Sequence, residues 1–225
     1  MTLLMLAQEA VNETQATRLS SLYQTILDGG ICMVPIGLCS IVALGFIVER
    51  WVSLRGSRLI PGRFKKELES ALESGPERAL ELCQSRRAPV ARVFAAGLRR
   101  WSQSPVDIEK AVEDAGAHEI STLSAPLKPL VVVAAVAPLL GLLGTVFGMI
   151  KAFNVVAQQH GAGKPELLAE GIAEALITTA AGLIVAIPVQ VMWFYFKGRI
   201  DRFSRRVEEM YHQVLGRVLD LRRAA

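Results

Sequence analysis

Thr145, Glu174, Thr178 and Thr179 are polar side chains inside long, mostly apolar stretches. A hydroxyl donates one hydrogen bond and accepts others without carrying charge, while a carboxyl group can take up or release a proton. Groups of this kind are costly in a water-free layer unless they face protein or water, so they mark candidate ion pathways. Hydroxyls on two facing spans, with an acid at the outer mouth, would make a close-packed polar surface suited to a small ion. Each residue taken singly also has a structural reading. A threonine can bond the carbonyl one turn back in its own helix, and Glu174 can reach outward from the edge of its span.

The elements that must position these groups are three uncharged or nearly uncharged runs, residues 30–48, 129–150 and 171–196. About 20 apolar residues rising about 1.5 Å each cross a hydrocarbon layer of roughly 30 Å. Each run therefore reads as a membrane span. The second gives up bulk in an unusual way: Ala134, Ala137, Gly141, Gly144, Thr145 and Gly148 recur at steps of three and four along one helical stripe. The third repeats the device with Ala175, Thr178, Thr179, Gly182 and Ala186. Small residues let helix backbones approach closely, which matters where lipid removes the hydrophobic drive between helices. Pro138 and Pro188 each delete an internal hydrogen bond and are expected to kink their helices.

Charge outside the spans is uneven. Thirteen Lys and Arg lie between residues 52 and 128 and eight follow residue 196, against Arg18 at the N-terminus and Lys151 and Lys164 between the last two spans. Basic loops stay on the cytoplasmic side, which sets the N-terminus outside and the C-terminus inside. The net charge of +4 is too small and too dispersed for nucleic-acid binding. The opening MTLLMLAQEA has no basic residue ahead of a short apolar stretch, so no cleavable signal is expected. Cys32, Cys39 and Cys83 read as small buried thiols.

The polar stretches read as helices too. Val11, Leu19, Leu22 and Ile26 suggest a short external helix. Pro61, Pro76 and Pro89 each lead a helical segment, because an unpaired first-turn N–H makes proline harmless there. Ser104, Pro105 and Asp107 form a start signal for a fourth, with Ile108, Ala111, Val112, Ala115, Ile120 and Leu123 recurring along it. Ile200, Phe203, Val207, Met210, Val214, Val218 and Leu221 predict an amphipathic C-terminal helix that packs its stripe against other helices, with binding to the membrane surface through its basic flank as the alternative. The expected organisation is an external segment 1–29, spans 30–50, 128–155 and 171–197, a helical cytoplasmic loop 51–127, an external connection 156–170 and a cytoplasmic helix 198–225. The fold class is an all-α integral membrane protein with three transmembrane helices and long cytoplasmic helical extensions.

Two long stretches, APLLGLLGTVFGMIKAF (137–153) and GIAEALITTAAGLIVAIPV (171–189), resemble the signature stretches of the MotA/TolQ/ExbB proton-channel family, most closely its ExbB/TolQ branch. The resemblance extends to the three-span arrangement, the loop and the C-terminal helix. It implies a subunit of a homopentamer around two copies of a single-span ExbD/TolR-like partner in the bacterial inner membrane. Protons would pass along the second and third spans to a partner aspartate, and the flux would drive work elsewhere, such as energising outer-membrane transport. Carried over residue by residue, the ion path is Thr145, Glu174 and Thr179, with Thr178 at a position where some relatives carry alanine or another small residue. Pro188 matches the proline closing the second motif. Pro138, Gly141, Gly144, Gly148 and Gly182 serve packing, the glycines letting subunits and enclosed partner helices approach and slide.

A competing reading is a non-conducting membrane scaffold assembled through the small-residue faces. A solute transporter is disfavoured by the lack of inverted repeats and of a second intramembrane polar cluster. No catalytic triad, P-loop or metal-ligand cluster is evident, and His118, His160 and His212 are scattered. Neither enzyme chemistry nor a cofactor is expected; the transported ion is the proton.

Overall fold

The computed structural model describes residues 29–158 and 165–224. The expected external helix of 1–29 and the centre of the 156–170 connection lie outside the described residues. Among those described, the elements are helices: α1 (Met33–Ser53), α2 (Gly56–Leu59), α3 (Phe64–Glu73), α4 (Pro76–Ser85), α5 (Pro89–Leu98), α6 (Pro105–Ser124), α7 (Lys128–Gln158) and α8 (Pro165–Ala224), with a 3-10 turn at Ala125–Leu127.

The local reasons match the residue chemistry. Pro76, Pro89 and Pro105 occupy first helical turns, where no intrahelical donor is missed. Phe64 begins α3 three residues after Pro61. Ser104 caps α6 by accepting from the Asp107 N–H at 3.2 Å, and its hydroxyl donates to Asp107 Oδ2 at 2.6 Å. Gly75 bridges α3 and α4 with φ +123°, a backbone that a side chain would strain. α7 continues through Pro138 and α8 through Pro188, so neither proline ends its helix. Membrane helices tolerate the lost bond when neighbours satisfy the freed carbonyl.

The chain divides into two compact units. The first comprises the stretches up to Leu44 and Leu130–Gln190, the second Gly45–Pro129 and Val191–Ala225. Among the described residues, three helical stretches are long and apolar enough to cross a membrane. The most apolar window, within Pro105–Ala157, has a mean hydropathy of 2.5 and is only 28% buried within the chain. Leu139, Leu142, Ile150, Ile184 and Ile187 all point away from the protein. In water each would cost roughly 1.5–3 kcal/mol relative to burial. Such a surface belongs against lipid or other helices, and the chain is a multi-pass membrane protein.

In the second unit a helical core forms around Phe64, Leu68, Val90, Phe94 and Ile108, each at most 1% exposed. The rings of Phe64 and Phe94 meet at 6.2 Å. A Cβ on Gly97 would lie 2.5 Å from Val112 Cγ2, so the glycine sets how closely α5 approaches α6. Arg92 clamps these helices with its Nε donating to Glu119 Oε1 at 2.6 Å and a second nitrogen donating to Oε2. The expected stripe of the C-terminal helix is buried at Ile200, Phe203, Val207, Met210 and Val214. Val218 and Leu221 fall outside the described side chains. On α6, Ile108, Ala111, Val112 and Leu123 are buried, while Ala115 and Ile120 are half-buried.

Candidate functional site: the glycine seam between α7 and α8

Within the first unit, α7 and α8 meet along a line of small residues. On α7 it runs Ala137, Gly141, Gly144, Gly148, Ala152, and on α8 it runs Gly171, Ala175, Thr178, Gly182, each at steps of three or four. The pairing is antiparallel. A Cβ on Gly148 would lie 2.8 Å from the Gly171 carbonyl, one on Gly144 2.5 Å from Thr178 Cβ and Oγ1, and one on Gly182 2.6 Å from the Ala137 carbonyl. Real Cβ atoms do not approach so closely, so no larger residue fits unless the helices separate. The glycines that the resemblance assigned to contacts between subunits are thus engaged within one chain, span against span.

The seam brings three of the four expected pathway residues onto α8 and leaves Thr145 on the flank of α7. Thr178 is the enclosed one, 1% exposed, with its hydroxyl donating to the carbonyls of Glu174 at 2.7 Å and Ala175 at 3.1 Å. Thr145 is half-buried and donates to the Leu142 carbonyl at 2.6 Å, one turn back. Thr179 does something different. Its hydroxyl crosses to the other helix and donates to the Gly141 carbonyl at 3.1 Å. Glycine at 141 permits this, since a Cβ there would sit 3.0 Å from Thr179 Cα.

All three hydroxyls therefore spend their single donor on a main-chain carbonyl and keep only acceptor capacity. Acceptor oxygens facing a path suit a cation, because a hydronium ion donates hydrogen bonds and an anion must receive them. Thr145 and Thr179 retain partial exposure, so their lone pairs remain reachable, whereas Thr178 is sealed against Gly144.

Glu174 lies at one end of the seam with its side chain 17% exposed. Lys151 Nζ donates to its Oε2 at 2.7 Å and stands 3.9 Å from Glu170. The other carboxylate oxygen lies against Gly30, where a Cβ would be 2.0 Å from Oε1. Gly30 has φ +67°, a backbone conformation that favours glycine. Glu174 thus touches the turn before α1 and the end of α7 from its own place on α8. Sequence reading missed Lys151 as a partner. Its signal was available: it is a basic side chain at the end of α7, and the short connection after it returns the chain to an acid on α8.

Similarity to known proteins bears on this arrangement. Residues 85–209 match the MotA/TolQ/ExbB proton channel family, a stretch that includes the whole seam. The putative biopolymer transport protein ExbB-like 1 of Synechocystis sp. is 36% identical over 177 residues, 76% of this chain and 68% of the relative. The biopolymer transport protein exbB1 of Vibrio cholerae is 30% identical over 76% of each chain. The Tol-Pal system protein TolQ of Pseudomonas aeruginosa is 34% identical over 52% of this chain and 55% of its own length.

Proposed function

The chain belongs to the MotA/TolQ/ExbB proton channel family, and from that premise we propose that it is a motor subunit coupling proton-motive force to work done through a partner. In this reading five copies surround two copies of a single-span ExbD/TolR-like protein in the bacterial inner membrane. The N-terminus is periplasmic, the arginine-rich unit cytoplasmic, and the load is a process such as outer-membrane transport. The protein makes and breaks no covalent bond and uses no cofactor. The observation that carries the reading is the Thr179 hydroxyl turned across the seam to the Gly141 carbonyl, with Thr145 nearby in sequence on α7 and Glu174 at the seam's end.

Each part has a physical task. Thr145 and Thr179 offer acceptor oxygens to a proton carrier where bulk water is absent. Glu174 is the acid at the mouth, and its Lys151 partner is 56% exposed while Glu174 itself is 17% exposed. Thr178 ties the Glu174 carbonyl into the packed seam. No carboxyl group lies at mid-span in α7 or α8, which leaves the titrating acid there to the partner. The driving force is ample, since a charge crossing 100 mV releases about 2.3 kcal/mol.

A second reading has an observation in its favour. The hydroxyls of Thr145, Thr178 and Thr179 are all bonded to carbonyls and Glu174 to a lysine, as a non-conducting scaffold would require. Proton flux into liposomes containing the complex separates the two. Under the motor reading, Thr145→Val and Thr179→Val each lower flux by about tenfold or more while the complex assembles normally. Unchanged flux in both variants would establish the scaffold instead.

A further inference from the structure

The second unit contains a cavity of about 300 Å³ lined by Gly56, Tyr195, Arg199, Arg202, Phe203 and Arg206. Its chemistry is one-sided. Arg199, Arg202 and Arg206 are three cations on successive turns of one face of α8, and none of them pairs with a described carboxylate. Other arginines of the same unit do: Arg50 with Glu49, Arg86 with Glu67 and Arg92 with Glu119. Arg199 is also held in place, its guanidinium 5.8 Å from the centre of the Tyr195 ring and donating to the Tyr195 hydroxyl at 3.3 Å. Gly56 forms part of the near wall, its would-be Cβ position 3.8 Å from Arg199 Nη2.

The surroundings say where in the membrane this cavity sits. The apolar run of α8 ends at Phe196, one turn before Arg199. Trp51 stacks on Tyr195 at 5.8 Å, and Lys197 lies over Trp193 at 5.2 Å. Tryptophan and tyrosine flanked by basic residues mark the level of lipid headgroups. Val48, Val191 and Phe194, all exposed and in the same unit, offer an apolar surface beside it.

We infer that this cavity binds the phosphate headgroup of an anionic phospholipid from the leaflet at the arginine-rich end of the spans, with its acyl chains along the exposed apolar residues. The lipid would bridge Gly56, just after α1, to α8 through charge-assisted bonds that no carboxylate of the chain supplies. Basic side chains that merely follow a span fix topology wherever they lie; here they converge on one cavity and lack partners. Each such residue near an anionic surface contributes about one kcal/mol, so removing two weakens binding by roughly 30-fold.

Native mass spectrometry of the intact complex tests this, using phosphatidylglycerol against phosphatidylcholine of the same acyl chains. The wild type is expected to retain phosphatidylglycerol preferentially, and Arg202→Gln/Arg206→Gln to bind it roughly 30-fold more weakly. That pair leaves the Arg199–Tyr195 contact intact, so the fold is spared. The control Arg78→Gln/Arg87→Gln removes the same charge elsewhere in the unit and should leave retention unchanged. Equal loss in both double variants, or no preference in the wild type, overturns the proposal. Displacement by millimolar inorganic phosphate also overturns it, in favour of a small-anion site.

Discussion

Gly144 and Thr178 show how a single missing methyl governs the site. Alanine at 144 would place its Cβ 2.5 Å from both Thr178 Cβ, fixed by the helix backbone, and Oγ1, held by its bonds to the Glu174 and Ala175 carbonyls. Overpacking of this kind costs about 1–3 kcal/mol, so Gly144→Ala should lower the unfolding temperature of the purified complex, with flux falling in parallel. Gly37, by contrast, has nothing within 4 Å of its would-be Cβ, and Gly37→Ala should leave both unchanged. Cys83 provides a residue-level test in the second unit. Burial pushes its thiol up from 9.0 to about 12. Its neutral form is favoured by folding, so the contribution is fully present below pH 9 and fades as pH rises towards 12. A thiol reagent at pH 8 should therefore leave Cys83 unlabelled in the native protein and label it once guanidinium unfolds the chain.

Among the elements, α6 has the best-defined start. Ser104 both accepts from the Asp107 N–H and donates to its carboxylate, and that hydroxyl bond holds the Asp107 carboxyl below its ordinary value. A depressed carboxylate stabilises the fold above its unfolded pKa, about 3.9, and loses that contribution as pH falls through the folded value. Ser104→Ala should cost about 1 kcal/mol at pH 7. The difference between the two proteins in thermal unfolding should shrink as pH falls below the ordinary carboxylate range and the folded acid takes up its proton. An undiminished difference there would mean that the cap acts through the backbone N–H alone. α7 and α8 show a different economy: their length comes from hydropathy, but their mutual fit comes from glycine.

For the whole molecule, the exposed apolar surface sets the expectation. With its most apolar window only 28% buried, the chain leaves most of that hydrophobic surface uncovered by its own residues. Under the proposed assembly, native mass measurement of the 24.5 kDa chain should give a pentamer alone and a pentamer with two added subunits when the single-span partner is co-expressed. A different closed oligomer that ignores the partner would put the scaffold reading first. The glycine seam alone cannot provide that assembly, because its close contacts are already made within the chain. Other faces of α7 and α8, carrying Leu139, Val146 and Leu176, remain for contacts between copies.

Sequence alone determined whatever depends on neighbours along the chain. The three spans follow from hydropathy over about 20 residues, the starts of α4, α5 and α6 from Pro76, Pro89 and Pro105, and the cap from Ser104. The small stripes of α7 and α8 were equally legible, because a period of three and four needs only one helix to be seen. What those stripes face was not legible. Only the tertiary structure decided that Gly144 holds Thr178, that Thr179 bonds the Gly141 carbonyl, and that Lys151 and Gly30 enclose Glu174. The same holds for Gly56 and Arg199, which meet from distant parts of the sequence. Pairings of this kind depend on the rotation and register of one helix against another. Those are settled by packing over the whole interface, a quantity that no local window of residues contains.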